Sequence, residues 1–332
     1  MEIGLALPHY DFSVPGENPL SWETVVGVAH LAEAAGADAL YVSDHLFLDI
    51  EKYGGGPGVY GTYEALVTLA ALGRVTERVR LGTLVLCEAL RPAGVLAKTL
   101  ATLDRVVGGR LDVGLGAGWY EPEYAAIGMA MPPPGERLAR LAEATQIVTA
   151  LLGGGPATFE GRYHSVRDAV ALPPALQQPR PRVFLGGKGD RLLRLVARHA
   201  DGWNTVWVWT PATYAERLAS LEAACETEGR DPASVWRTLG LYTLVGEDAA
   251  DLDRRYRRMQ AAAPGGMLEG VPLEAWREGR LVGTVDEVRE QVATWEGLGV
   301  EQLVLCVGPL PFSVSARDDV ELALAATAGT FG

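Results

Sequence analysis

Three short stretches of this chain hold side chains whose types and spacing suit chemistry. The first is Ser43-Asp44-His45. An imidazole can donate, accept or carry a proton near neutral pH, and the aspartate ahead of it can cap the segment that follows. The second is Gly186-Gly187-Lys188-Gly189-Asp190-Arg191. Its glycines let backbone N–H groups approach an anion, Lys188 and Arg191 add positive charge, and the helix expected to start near Arg191 offers its positive end. Phosphate binding is the chemistry this pattern suits; the plainer alternative is a tight turn with two solvated cations. It is not a nucleotide P-loop, because Gly189 stands where Ser or Thr would follow the lysine. The third is Gly114-Leu115-Gly116-Ala117-Gly118-Trp119, half of a dinucleotide fingerprint. No acidic strand end about 20 residues later completes it. Such a run either keeps a wall flat for a ring system or closes a barrel layer with small residues. Trp119, Trp203, Trp207 and Trp209 can stack on a ligand, although Trp207 and Trp209 read better as core or interface.

Bringing these stretches together requires strand ends on one face. Short apolar runs alternate with segments of helical period: Ile3–Leu7, then Trp22–Ala35; Ala39–Ser43, then a loop and about Tyr63–Arg74; Val79–Leu86, then Ala93–Val106; Leu111–Leu115, then about Glu136–Leu152. The second half continues with Val183–Leu185, Gly202–Thr205, Leu239–Val245 and Gln302–Cys306 as strands five to eight. Thr284 with Glu287 three residues later predicts a capping box opening the last repeat helix. Eight strands in βα alternation predict an α/β fold, a (β/α)8 TIM barrel formed as a single domain over residues 1–332. Two insertions, about 153–182 with a hairpin and about 247–280 with an Arg-rich helix and a Pro264-Gly265-Gly266 break, suit lids or interface segments.

The net charge of −13, with no block of lysines or arginines, predicts that neither nucleic acid nor a membrane surface is a partner. Three scattered cysteines, Cys87, Cys225 and Cys306, argue against a disulfide framework and against a metal site. No apolar run reaches a membrane span of about 18–20 residues, and no signal segment opens the chain, so a cytoplasmic protein is expected. There is no Gly-x-Ser-x-Gly elbow and no His-Glu-x-x-His helix. The only lysines are Lys52, Lys98 and Lys188, which leaves Schiff-base chemistry few candidates. The Trp-bearing segments suggest a homodimer.

Taken in order, Ser43-Asp44-His45, Gly82-Thr83-Leu84-Val85, Leu103-Asp104-Arg105 with Gly108-Gly109-Arg110, Gly114–Trp119, and Gly186–Arg191 with Ala200-Asp201-Gly202-Trp203-Asn204 resemble the bacterial luciferase-like oxidoreductases. The match runs from Ile3 to about Asn204, with a weaker echo from Gly283 to Gly297, and looks most like the F420-dependent branch. The resemblance implies a barrel that binds the deazaflavin coenzyme F420, with FMN as the alternative, and that moves a hydride to or from a small organic substrate. It places a bulge with a non-prolyl cis peptide at Leu84-Val85 behind the ring, and His45 at the reacting edge. Cys87 and Gly116, Ala117 and Gly118 would line the walls, with Asp44, Thr83, Trp119 and Trp203 nearby. Gly186, Gly187, Lys188, Gly189 and Arg191 would hold the phosphate. Sugar-phosphate dehydrogenases of this family carry a catalytic Glu directly after the strand-four glycines. Trp119 stands there instead, which speaks against glucose-6-phosphate. His45 is the first candidate for moving the proton and Glu121 the second. The rivals are an FMN monooxygenase using reduced flavin and oxygen, a non-catalytic flavin-binding relative, and a phosphosugar isomerase or aldolase.

Overall fold

The computed structural model describes residues 1–328. The chain alternates β1 (Glu2–Ala6), α1 (Trp22–Ala34), β2 (Ala39–Val42), α2 (Ala65–Leu72), β3 (Arg80–Thr83, resuming at Leu86–Cys87), α3 (Ala93–Val106) and β4 (Leu111–Gly116). It continues through α4 (Pro134–Leu152), β5 (Arg182–Gly186), α5 (Asp190–His199), β6 (Gly202–Trp207), α6 (Pro211–Thr227) and β7 (Trp236–Gly246). The last elements are α7 (Ala249–Ala262), α8 (Val285–Gly297), β8 (Gln302–Cys306) and α9 (Arg317–Thr327). All eight strands pair in parallel and the sheet closes on itself, with Ile3 opposite Leu303, Leu40 opposite Leu81, Val113 opposite Val183 and Leu239 opposite Leu303. This is the expected (β/α)8 barrel.

Large side chains facing small ones fill the interior, as close packing of a barrel requires. Tyr41 lies across Gly82, where an added Cβ would sit 2.3 Å from the ring; Phe184 occupies the space opposite Gly114 in the same way, at 2.6 Å. Below them, Arg80 holds the fully buried Asp112 by two hydrogen bonds of 2.7 Å. The Thr284–Glu287 capping box forms as the sequence predicts and starts α8.

The apolar run Val79–Leu86 taken alone reads as a continuous strand, but β3 breaks at Leu84-Val85, where the peptide bond is cis, as the family resemblance implies. Thr83 explains how the ladder survives the break. Its Oγ accepts from Gly114 N at 2.9 Å and donates to Gly114 O at 3.0 Å, replacing backbone partners that the strand would otherwise supply.

Two segments interrupt the βα alternation. The first carries the hairpin Ala157–Glu160 with Ser165–Ala169, and the second carries α7, the Pro264–Gly266 break and a short helix Leu273–Trp276. A third excursion, read from sequence only as a loop, is a second hairpin of Phe47–Asp49 against Val59–Gly61. Its strands are three residues each, too short for an alternation signal, and Gly54-Gly55-Gly56-Pro57 masks them further. No helix among the described residues is long and apolar enough to cross a membrane.

Candidate active site

The strand C-termini surround a cleft of about 240 Å³. Its floor is Val85, wedged between two glycines. A Cβ on Gly116 would lie 2.5 Å from one Val85 methyl, and a Cβ on Gly186 would lie 2.9 Å from the other. The glycine-rich strand ends are therefore obligatory, and they leave a wall of bare backbone. Gly118 continues this wall with φ +71°, and a Cβ there would meet Tyr124 Oη at 2.3 Å and Cys87 Sγ at 2.8 Å. Arg137 of α4 donates to the Gly118 carbonyl and holds that turn in place.

His45 stands on the opposite wall, mostly buried. Its Nδ1 is 2.8 Å from Oε2 of Glu123, and Oε1 of the same carboxylate accepts from Leu46 N at 2.5 Å. A carboxylate that already accepts from a backbone N–H accepts again at Nδ1, so Nδ1 carries the hydrogen. Nε2, with no protein partner among the described residues, keeps its lone pair toward the cleft. Glu123 reaches this position from the short helix Glu121–Ala126. The indole of Trp119 packs edge-on at 5.5 Å and limits the swing of the imidazole.

Asp44, beside His45, is spent elsewhere. Its carboxylate accepts from Cys87 N at 2.9 Å and takes both Arg91 η-nitrogens at 2.7 and 2.9 Å. It anchors the point where β3 resumes. Behind it, His9 is wholly buried with Nδ1 2.8 Å from the Leu7 carbonyl, and Nε2 accepts from Ser43 N at 3.2 Å. Burial pushes this imidazole down to about 4, so it is neutral at physiological pH. Ser43 Oγ joins His9 Nε2 at 3.0 Å to the Tyr10 hydroxyl, whose own ionisation burial suppresses.

Of the residues expected at the site, Asp44, His45, Leu84, Val85, Cys87, Gly116, Gly118, Trp119, Gly186 and Gly187 line the cleft. Seven others do not. Thr83 is fully buried in the ladder repair described above. Trp203 is also fully buried, stacked on Tyr214 of α6 with its Nε1 donating to Gly187 O at 2.7 Å. It faces the helix layer, because alternate strand residues point to opposite sides. Its neighbours Asn204 and Val206 face the cleft. Ala117 lies outside the lining, and Glu121 is exposed on the outer side of its helix while Glu123 is the carboxylate delivered to His45. Lys188, Gly189 and Arg191 are exposed on the rim. There α5 begins with Gly189 as its N-cap and no side chain capping it, so its first N–H groups point outward.

Sequence reasoning missed Glu123 as the partner of His45, and also Tyr10, Tyr53, Asn204 and Phe312 on the cleft walls. Trp207, read as core or interface, lines the cleft as well. A signal for Glu123 was available in its spacing from Glu121, since residues two apart on a helix face opposite ways.

The family model for luciferase-like monooxygenases matches residues 1–302. The chain belongs to this family. Among curated members, it is 37% identical over 191 residues to the F420-dependent glucose-6-phosphate dehydrogenase of Microbacterium testaceum, an alignment covering 57% of this chain and 54% of that protein. The chain thus spans about half the length of that relative. With the F420-dependent hydroxymycolic acid dehydrogenase of Mycobacterium tuberculosis it shares 28% identity over 333 residues, 96% of this chain and 83% of the relative. The barrel superposes on the coenzyme F420-dependent tetrahydromethanopterin reductase of Methanopyrus kandleri with a TM-score of 0.72, at 18% identity and 97% coverage of each chain.

Proposed function

We propose that this family member is an F420-dependent oxidoreductase that moves a hydride between the deazaflavin and a small organic substrate. The observation that carries the proposal is the His45–Glu123 pair, with Nε2 free, standing across the cleft from a glycine wall. The F420-dependent relatives above support the choice of cofactor.

The residues present fit such a group. A tricyclic ring needs a flat, side-chain-free surface, and Gly116, Gly118 and Gly186 around Val85 offer one that a single Cβ would disrupt. The rim at Lys188, Gly189 and Arg191, with the uncapped start of α5, suits the phosphate of the cofactor's tail. When bound, the deazaflavin supplies hydride acceptance or donation at carbon 5 of its ring. The remaining work falls to the protein. His45 takes the substrate's proton on Nε2 in the oxidising direction and returns it in the reducing direction. Glu123 holds the imidazole in the tautomer this requires and stabilises the imidazolium that forms. Cys87, whose thiol is pushed up by burial, stays protonated and contributes only packing.

Titration of the stripped protein with F420 and with FMN, followed by fluorescence, tests the proposal. The expected result is micromolar or tighter binding of F420, with FMN at least ~100-fold weaker, a gap of ~2.7 kcal/mol. The reverse preference would make the protein a flavin monooxygenase and overturn the proposal, as would binding of neither.

A further inference from the structure

Resting on the F420 reading above, we propose that the substrate is an uncharged alcohol or carbonyl compound with a largely apolar skeleton, and that the cleft excludes sugar phosphates. The wall away from the glycines is built by Leu48 and Tyr53 of the Phe47–Gly61 hairpin, Val206 and Trp207 at the end of β6, and Pro311 and Phe312 after β8. Among the described residues, no lysine or arginine lines the cleft. Its two carboxylates are already engaged, Asp44 by Arg91 and Cys87 N, Glu123 by His45 and Leu46 N. Ser43 is held between His9 and Tyr10, and the Asn204 amide faces Thr238 at 3.3 Å. The side-chain groups that remain for a ligand are His45 Nε2, Asn204 Oδ1, the Tyr53 hydroxyl and the indole N–H groups of Trp119 and Trp207.

Such a surface has no counter-charge for a phosphate dianion, which would enter beside buried carboxylates. A polyhydroxylated ring would leave most of its hydroxyls unpaired. The nearest lysine in this quarter, Lys52, stands outside the lining with Nζ 3.5 Å over the Trp119 ring. Lys188 and Arg191 lie on the far rim. One oxygen function on an apolar body matches what is on offer. In the oxidising direction the carbinol C–H bond breaks and its hydrogen leaves with the bonding pair for the deazaflavin. The O–H proton passes to His45 Nε2 and the C=O bond forms. The deazaflavin is reduced by two electrons as the alcohol is oxidised by two, and the reverse holds for carbonyl reduction.

Two measurements on the same preparation test this. In the first, the F420-loaded enzyme is given cyclohexanol, benzyl alcohol or glucose-6-phosphate, and loss of the oxidised deazaflavin's visible absorbance is followed. At least one apolar alcohol is expected to exceed glucose-6-phosphate in kcat/KM by ~10³-fold or more, the discrimination expected when a site lacks the partners a polar ligand needs. In the second, cyclohexanone is titrated into the cofactor-free protein while tryptophan fluorescence is read. Saturable quenching is expected, absent with glucose-6-phosphate and weakened about tenfold in Phe312→Ala by loss of an apolar contact. Turnover or tighter binding of glucose-6-phosphate overturns the proposal, and so does failure of every apolar compound both to react and to quench. Failure of F420 to bind would overturn the cofactor reading alone, because the quenching experiment needs no cofactor.

Discussion

Replacing Glu123 with glutamine is the sharpest perturbation of the proposed machinery. In the wild type the carboxylate accepts on both oxygens, from His45 Nδ1 at 2.8 Å and from Leu46 N at 2.5 Å. A carboxamide has one accepting oxygen and one donating nitrogen. The backbone N–H of Leu46 cannot rotate away, so it keeps the oxygen, and the amide NH2 turns toward Nδ1. The imidazole must then accept at Nδ1 and carry its hydrogen on Nε2, where the base is needed. A base locked in the wrong tautomer costs roughly 10²–10⁴ in kcat, since general-base catalysis contributes about that much. The fold loses one charge-assisted hydrogen bond, roughly 1.5–3 kcal/mol, enough to lower Tm by a few degrees without unfolding the protein. F420 affinity should hold within about threefold, a change of ~0.6 kcal/mol, because Glu123 sits behind His45 and not on the glycine wall. Steady-state turnover gives the rate, fluorescence titration the affinity, and nitrogen NMR of the labelled imidazole the tautomer. An Nε2–H tautomer already present in the wild type, or a Glu123→Gln enzyme within about threefold of wild-type kcat, would refute the assignment.

Other outcomes follow from the same geometry. Gly118→Ala places a methyl 2.3 Å from Tyr124 Oη at φ +71°; it is expected to lower stability by ~1–3 kcal/mol and F420 affinity at least tenfold, read by chemical denaturation and titration. Lys188→Ala combined with Arg191→Ala should weaken F420 by ~10–100-fold and flatten the salt dependence of binding, while leaving a phosphate-free deazaflavin within about threefold. His9 titrates near 6.5 when unfolded and only at about 4 in the fold. The unfolded chain therefore binds more protons between those values, and the stability this group contributes is present above pH 6.5 and drains away as pH falls toward 4, by roughly 3 kcal/mol. Guanidinium melts of wild type and His9→Gln should show a steeper acid loss for the wild type across that window; parallel curves would contradict it. Arg91→Met strands the buried carboxylate of Asp44 and should cost ~3–5 kcal/mol, seen as a large drop in Tm.

The order of strands and helices was legible because parallel-barrel strands are buried on both faces and read as short apolar runs between helical periods. His45 and the glycine wall were legible for a related reason, since chemistry on such a fold is confined to strand ends. What escaped was orientation. Trp203 and Asn204 are adjacent in sequence, and a strand's two-residue period sends them to opposite sides. Nothing in the run Gly202–Thr205 marks which parity faces inward. Glu121 and Glu123 present the same ambiguity on a single helical turn. The break in β3 left no trace in the apolar pattern, because Thr83 repairs the ladder with its side chain and a threonine inside a strand is ordinary; only the family resemblance pointed to it. The walls supplied by Tyr53 and Phe312 come from loops whose paths no period records.

The two sides of the cleft have separate origins in the chain. Backbone from β3, β4 and β5 makes the glycine wall, whereas the Phe47–Gly61 hairpin, the end of β6 and the turn after β8 make the apolar one. Evolutionary drift can therefore act on them independently. Substitutions at Leu48, Tyr53 or Phe312 reshape what is admitted and leave the surface around Val85 untouched. A library confined to those three positions should yield altered substrate ranges at little cost in cofactor retention, whereas a library over Gly116, Gly118 and Gly186 should yield mostly dead protein.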